Sequence, residues 1–234
     1  MLAAPARTRT GEGERLGSAR DLQTVEKSAT VTEIAPYDSP ALVISECQRG
    51  ILEANRALSP GLAEQAATRD IVPRTARLAR GFRERGLPIF HCVVAHRADR
   101  AGIVPNSYLA KIALRRDYML AGTPDVEIPA ELGPEPSDIV SSRATGATAF
   151  YGTDLDAMLR LSGVRTLVLA GVSTNVALPG LAMEAINRGY TAVLAEDCTA
   201  GSSADAHRQM IDNQLAILAR ISTADQVIGR LPGG

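Results

Sequence analysis

The 234-residue chain contains no tryptophan, and aromatic residues make up only 3% of it. A core without large rings has to be filled by Ala, Leu, Val and Ile, as happens where helices pack on a parallel sheet. No apolar run reaches the roughly eighteen residues of a membrane-spanning helix, so no membrane partner is expected. Basic residues are in no excess: 25 Lys and Arg stand against 26 Asp and Glu, for a net charge of −1. No basic cluster sits beside a stacking aromatic, and a nucleic-acid partner is excluded on that ground. Cys47, Cys92 and Cys198 form no C-x-x-C pair and are odd in number. That argues against a structural zinc site and a disulfide framework, and for a reducing cytoplasm. H-E-x-x-H, Walker and G-x-G-x-x-G motifs are missing as well. His91 and His96 lie five apart on one extended run and so face opposite sides, while His207 is distant. No metal and no other cofactor is expected.

What the chain does have is alternation. With 45% hydrophobic and 22% charged residues, its length suits one well-buried domain. Residues 1–37, rich in Ala, Thr, Arg, Glu and Gly, read as an N-terminal extension, a flexible or oligomer-docked arm. They include Arg7, Arg9 and Arg15 but no apolar segment of signal-peptide length, so export is not expected. Residues 38–234 form the domain. Strands are predicted at Ala41 to Cys47, Pro88 to Ala95, Asp138 to Ser142, Thr166 to Leu169 and Thr191 to Ala195, with a last short strand and turn from Ile221 to Val227. Helices are predicted at Ile71 to Arg85, after a Thr153 cap, from Ala177 onward, and at Ala204 to Arg220. This order predicts an α/β doubly wound fold: a parallel sheet of about six strands with helices on both faces. The Pro- and Gly-rich stretch 97–136 is too long for an idle connection, so part of it is expected to cover a pocket or an oligomer contact, with a helical patch near Tyr108 to Leu114.

The strand Thr166 to Leu169 runs into Ala170-Gly171-Val172-Ser173-Thr174-Asn175-Val176-Ala177 and then into a helical pattern. A strand–turn–helix unit of this kind aims backbone N–H groups and the positive end of a helix dipole at one point, suited to an anion. Residues 149–198, "AFYGTDLDAMLRLSGVRTLVLAGVSTNVALPGLAMEAINRGYTAVLAEDC", resemble the second half of the isochorismatase-like superfamily, the cysteine hydrolases. The resemblance spans about residues 38–230 and implies a hydrolase, a homo-oligomer and a non-proline cis peptide at Val172-Ser173. It places the usual nucleophilic cysteine at position 177, which here is Ala177. It also expects an Asp where Glu46 stands in Glu46-Cys47-Gln48, and a Lys where "IVSSRATGATAFYGTDL" offers only Arg143 as a cation.

Glu46 lies at the carboxyl edge of the predicted sheet, where open α/β folds bind ligands. A guanidinium beside it favours a carboxylate that acts as a base or orienting group, whereas desolvation favours a general acid. Arg143 can clamp a carboxylate but does not release its proton. Ala177 contributes only its backbone amide. Ser173, Thr174, Asn175, Val176 and His96 are the candidate substrate-binding residues. Strand alternation turns Cys47 to the face of Val43 and Ser45, away from Glu46, as a buried and inert thiol. Without a thiolate, amide cleavage through a thioester is disfavoured. Vinyl ether hydrolysis by proton transfer is not. The leading expectation is therefore an isochorismatase-type hydrolase of a small, acidic molecule. The competing one is a non-catalytic descendant that keeps the pocket for ligand binding or assembly.

Overall fold

The computed structural model describes residues 35–233. Six strands, β1 (Pro40–Ser45), β2 (Ile89–Val94), β3 (Ile139–Arg143), β4 (Thr166–Val172), β5 (Thr191–Ala200) and β6 (Arg220–Ser222), form one sheet in the order β3-β2-β1-β4-β5-β6. Every neighbouring pair is parallel. Each residue of β1 and of β4 is buried, because helices cover both faces.

Alternate positions sort the core into two layers. Leu42, Ile44 and Val168 pack with Leu78, Phe82 and Val227 on one face. Ala41, Val43, Leu167 and Leu169 pack with Leu155, Leu159, Leu178 and Leu181 on the other. Each buried Leu or Phe side chain is worth about 1.5–3 kcal/mol, so these layers dominate the stability. The helices are α1 (Arg49–Leu52), α2 (Pro60–Thr68), α3 (Ile71–Arg83), α4 (Tyr108–Arg115), α5 (Leu155–Leu161), α6 (Ala177–Asn187), α7 (Ala204–Met210), α8 (Ala216–Leu218) and α9 (Ala224–Ile228). The doubly wound architecture and the strand count agree with the sequence expectation.

Four local features differ from it. First, α1 and α2 fill the segment between β1 and α3, where no helix was anticipated. Second, β5 continues five residues beyond Ala195, with an irregularity: Leu169 pairs with Leu194, but Gly171 pairs with Thr199. Third, the helix expected from Ala204 to Arg220 is interrupted by a π turn at Ile211–Leu215 and ends at Leu218. The chain then forms β6 and α9, whose start is fixed by the reciprocal capping of Thr223 and Gln226. Fourth, Cys47 joins the layer of Leu42 and Ile44 rather than that of Val43. The cause lies one residue earlier, where Glu46 takes a left-handed conformation with φ 53°, so that strand alternation stops at Ser45.

The predicted arm lies almost wholly outside the described residues. Its last residue belongs to the domain: Tyr37 is buried, donates its amide to Arg230 O at 2.9 Å and lies under the Arg230 guanidinium. Among the described residues no helix is long and apolar enough to cross a membrane.

Candidate active site

In the strand order β3-β2-β1-β4-β5-β6 the winding reverses between β1 and β4. The crevice at the carboxyl ends of these two strands is where an open α/β sheet presents ligands. Glu46 follows β1, the Ser173–Ala177 turn follows β4, and Arg143 ends β3 two strands away. The two central strand ends come very close. Gly171, at φ 98°, approaches the backbone of Ser45 so tightly that a Cβ would lie 2.2 Å from the Ser45 carbonyl oxygen. Only glycine fits there. The Val172-Ser173 peptide is cis, as the resemblance implies; a second cis bond, Gly133-Pro134, was not foreseen.

Glu46 is held by its backbone and by Gln48. Its amide donates to Cys92 O at 2.8 Å, and its carbonyl accepts from the Gln48 amide at 2.8 Å. The fully buried Gln48 side chain then ties β1 to β2 and to the long loop. Its Nε2 donates to Val94 O at 2.8 Å and to Val126 O at 3.0 Å, and its Oε1 accepts from the Val94 amide at 2.8 Å. Sequence reasoning assigned Gln48 no role, although an amide side chain directly after the predicted strand Ala41 to Cys47 was the available signal. Thus positioned, the Glu46 carboxylate forms an ion pair with Nη2 of Arg143, whose Nε donates to Gly146 O at 3.5 Å. The Arg143 side chain is 5% exposed and that of Glu46 is 16% exposed, so the carboxylate is the more open member of the pair.

The pair borders a cavity of about 750 Å³, within the size range of small-molecule sites. Glu46, Arg143, His96, Ser173, Asn175, Val176 and Ala177 all line it. Most of the remaining wall is apolar, including Ile51, Leu58, Leu62, Ile103, Leu109 and Met119. The loop 97–136 supplies much of this wall, in keeping with its expected pocket-covering role. Tyr118, also from this loop and unforeseen, lines the cavity as well; burial first and then the charges of Glu46 and Asp125 push its phenol up to about 12. His96 Nδ1 lies 2.8 Å from Ala144 O. A carbonyl only accepts, so Nδ1 carries a proton, and Nε2 is the ring atom left without a hydrogen-bond partner among the described residues.

One predicted substrate contact is overturned. Thr174 is completely buried, is not part of the cavity wall, and its hydroxyl lies 3.3 Å from Nδ1 of His207. It points behind the turn, because the next strand end packs there. Asn175 lines the cavity, but its Oδ1 is engaged, accepting from the Ser202 amide at 2.7 Å. The helix cap is Val176, with no side-chain bond. Ala177 occupies the first turn of α6, and its amide has no backbone acceptor among the described residues.

None of the three cysteines lines the cavity, and all are buried. Burial pushes each thiol up to about 12. Among the described residues no group of three or more His, Cys, Asp or Glu side chains could hold a metal ion.

The family that matches this arrangement is the Isochorismatase domain family, over residues 40–226. The chain belongs to the isochorismatase family. An uncharacterized isochorismatase family protein, YecD of Escherichia coli O157:H7, is 33% identical over 195 residues, covering 82% of this chain and 95% of that protein. A ureidoacrylate amidohydrolase, RutB of Methylorubrum extorquens, is 30% identical over 174 residues, covering 69% of this chain and 70% of that protein. Among solved structures, an isochorismatase family protein from Desulfovibrio vulgaris has a TM-score of 0.70 at 27% identity, covering 81% of this chain and 96% of the other. Within this family, position 177 is alanine in the present chain, and the cation facing Glu46 is Arg143.

Proposed function

We propose that this isochorismatase-family protein hydrolyses a small, acidic molecule in its cavity without a covalent thiol intermediate. Glu46 is the acid–base group, Arg143 is the clamp, and the free Ala177 amide at the start of α6 cradles developing negative charge. The observation that carries this reading is the Glu46–Arg143 ion pair opening onto a cavity that Ala177 also lines. The cation is paired with Glu46, so an acidic substrate has to share it. A substrate carboxylate engaging Arg143 would bring a second negative charge beside Glu46, and a proton held between them relieves the repulsion. That proton is the one a vinyl ether needs. Delivered to the terminal carbon, it yields an oxocarbenium ion; water adds to that ion and returns a proton to Glu46, and the resulting hemiketal separates into a carbonyl compound and an alcohol. The apolar wall of Ile51, Leu62 and Met119 takes the rest of the molecule and excludes bulk water. His96, Ser173, Asn175 and Val176 supply further substrate contacts from the wall, and a homo-oligomer is the expected assembly.

RutB is an amidohydrolase, and cleavage of an amide here would need a route with no thiol at position 177. The absence of both a thiol and a lysine at the site favours a second reading, in which the cavity binds a ligand and catalyses nothing. The Glu46→Gln variant separates the two. Wild-type protein and variant are assayed against isochorismate, simple vinyl ethers and small amides. The catalytic reading expects vinyl ether turnover that falls about 10²- to 10⁴-fold in the variant. No turnover by the wild type on any of these, with a retained ligand-induced rise in melting temperature, supports the binding reading.

A further inference from the structure

The back of the Ser173–Ala177 turn is braced by a chain of polar side chains that has no part in the cavity. The irregularity in β5 makes it possible. Between the Leu169–Leu194 and Gly171–Thr199 pairings, β5 carries three more residues than β4, and Glu196 sits on that excursion. Its Oε1 accepts from Nη2 of Arg69 at 2.6 Å and lies 2.8 Å from Nε2 of His207. Arg69 is fixed in turn, donating from Nε to Thr199 O at 2.8 Å. A carboxylate accepts, so Nε2 of His207 donates to it; in the neutral ring this leaves Nδ1 to accept from the Thr174 hydroxyl. His207 is 3% exposed and Thr174 is completely buried.

The composition, a hydroxyl, an imidazole and a carboxylate in a row, is that of a nucleophilic triad. Burial rules that role out, since Thr174 is completely buried, does not line the cavity and turns its hydroxyl toward His207. What the row does reach is the turn itself. The Thr174 amide donates to Ala200 O at 3.0 Å, and the Ser202 amide donates to Asn175 Oδ1 at 2.7 Å. Gly201 allows the two strand ends to meet: a Cβ there would lie 2.7 Å from the Thr174 hydroxyl oxygen and 3.0 Å from Asn175 Oδ1.

The structure assigns Glu196 and His207 as positioning residues that hold the Ser173–Ala177 turn from behind through the Thr174 hydroxyl, with Arg69 anchoring the far end. This rests on the proposed function only in taking the turn as the face presented to substrate. A tilted turn would move the Ala177 amide relative to Glu46 without altering either residue.

The test compares Thr174→Val, which keeps the volume and removes the hydroxyl, with Thr174→Ser, which keeps the hydroxyl. Amide hydrogen exchange is read at Thr174 and Leu178, together with the nitrogen-bound proton resonance of the His207 ring. Loss of one buried hydrogen bond corresponds to roughly fivefold to tenfold faster exchange. The expected result is that acceleration in Thr174→Val, a shifted His207 resonance, and exchange within about twofold of wild type in Thr174→Ser. Wild-type exchange in Thr174→Val, or equal acceleration in both variants, overturns the assignment, since packing alone would then set the turn. If Thr174→Val does not fold, Glu196→Gln carries the test from the half-buried end: it should shift the His207 resonance and speed exchange at Thr174, and an unchanged turn overturns the assignment. No readout depends on turnover. Absence of activity in the wild type would therefore defeat the proposed reaction while leaving this result intact.

Discussion

Two carboxylate–arginine pairs sit at opposite edges of the same sheet and show how differently one chemistry can be used. At the amino edge, Asp138 precedes β3 with its side chain 2% exposed. It accepts from Arg83 Nη2 at 2.5 Å, from the Glu135 amide at 3.1 Å and from His91 Nε2 at 3.2 Å. Burial alone would raise its carboxyl, but Arg83, the Glu135 amide and His91 outweigh burial and hold it below the ordinary range. At the carboxyl edge, Glu46 has Arg143 as its one side-chain partner among the described residues and opens onto a cavity. A carboxylate with every acceptor site filled has nothing left to offer a ligand. One with acceptor sites open in a crevice can take a proton or a water. Saturation marks the first pair as structural, and incompleteness marks the second as the candidate site.

The largest effect that tests this contrast is Asp138→Ala. It leaves His91 without its anion and Arg83 with only the exposed Glu135, 3.3 Å from its Nη1, and breaking a buried pair from one side costs roughly 3–5 kcal/mol. Urea denaturation should show this loss, and any ligand-induced rise in melting temperature should survive in the folded fraction. If Asp138→Ala were neutral to stability while Glu46→Gln unfolded the protein, the assignment of the two pairs would be reversed.

Next in size is Gly171→Ala, at the contact that brings the β1 and β4 ends together. The added methyl would meet the Ser45 carbonyl and occupy a positive-φ position, at a cost of about 2–3 kcal/mol. Any enzymatic activity should fall further than stability does, because the displaced strand end carries Glu46. Equal activity per folded molecule would show that the spacing between Glu46 and the turn is not critical.

Much of this layout is legible in the sequence, for identifiable reasons. Runs such as Leu42 to Ile44 and Leu167 to Leu169 are buried on both faces, so continuous apolar stretches announce the central strands. Glu46 and the 173–177 turn are legible from their places at strand ends, and Arg143 from the resemblance, which expects a cation in that segment. What was missed depends on backbone events that residue types do not encode locally. The left-handed Glu46 moved Cys47 to the other layer. The excursion in β5 brought Glu196 to His207, eleven positions away, and turned Thr174 from a substrate contact into a brace. The helix α2, Pro60–Thr68, has too weak an apolar stripe to be read by periodicity.

A smaller effect separates the two edges by pH. Burial pushes the His91 ring below its ordinary value, against the pull of Asp138. A group depressed in the folded state contributes stability that is present above its unfolded value, about 6.5 for histidine, and lost as pH falls through the folded value. Asp138 follows the same sign at lower pH, its contribution being lost as pH falls below about 3.9. Denaturation at pH 7 and pH 5 should therefore show lower stability at pH 5, with His91 contributing to the loss. In His91→Gln that difference should shrink. An undiminished difference would move the acid sensitivity away from the amino-edge pair.

The smallest expected effect is on the thiols, and it bears directly on whether the carboxyl-edge pair works alone. Cys92 lies near enough to Glu46 and Arg143 for both charges to act on it, yet burial still pushes its thiol up to about 12. Cys47 follows Glu46 directly and is pushed up to about 12 as well. At pH 8 the thiolate of such a group is about one part in ten thousand, far too little for a nucleophile. Iodoacetamide should therefore label Cys47, Cys92 and Cys198 only at the rate of unfolding, with no change in ligand binding or turnover before then. Rapid one-to-one alkylation of Cys47, blocked by a cavity ligand, would give the site a nucleophile after all and bring amide cleavage through a thioester back into contention.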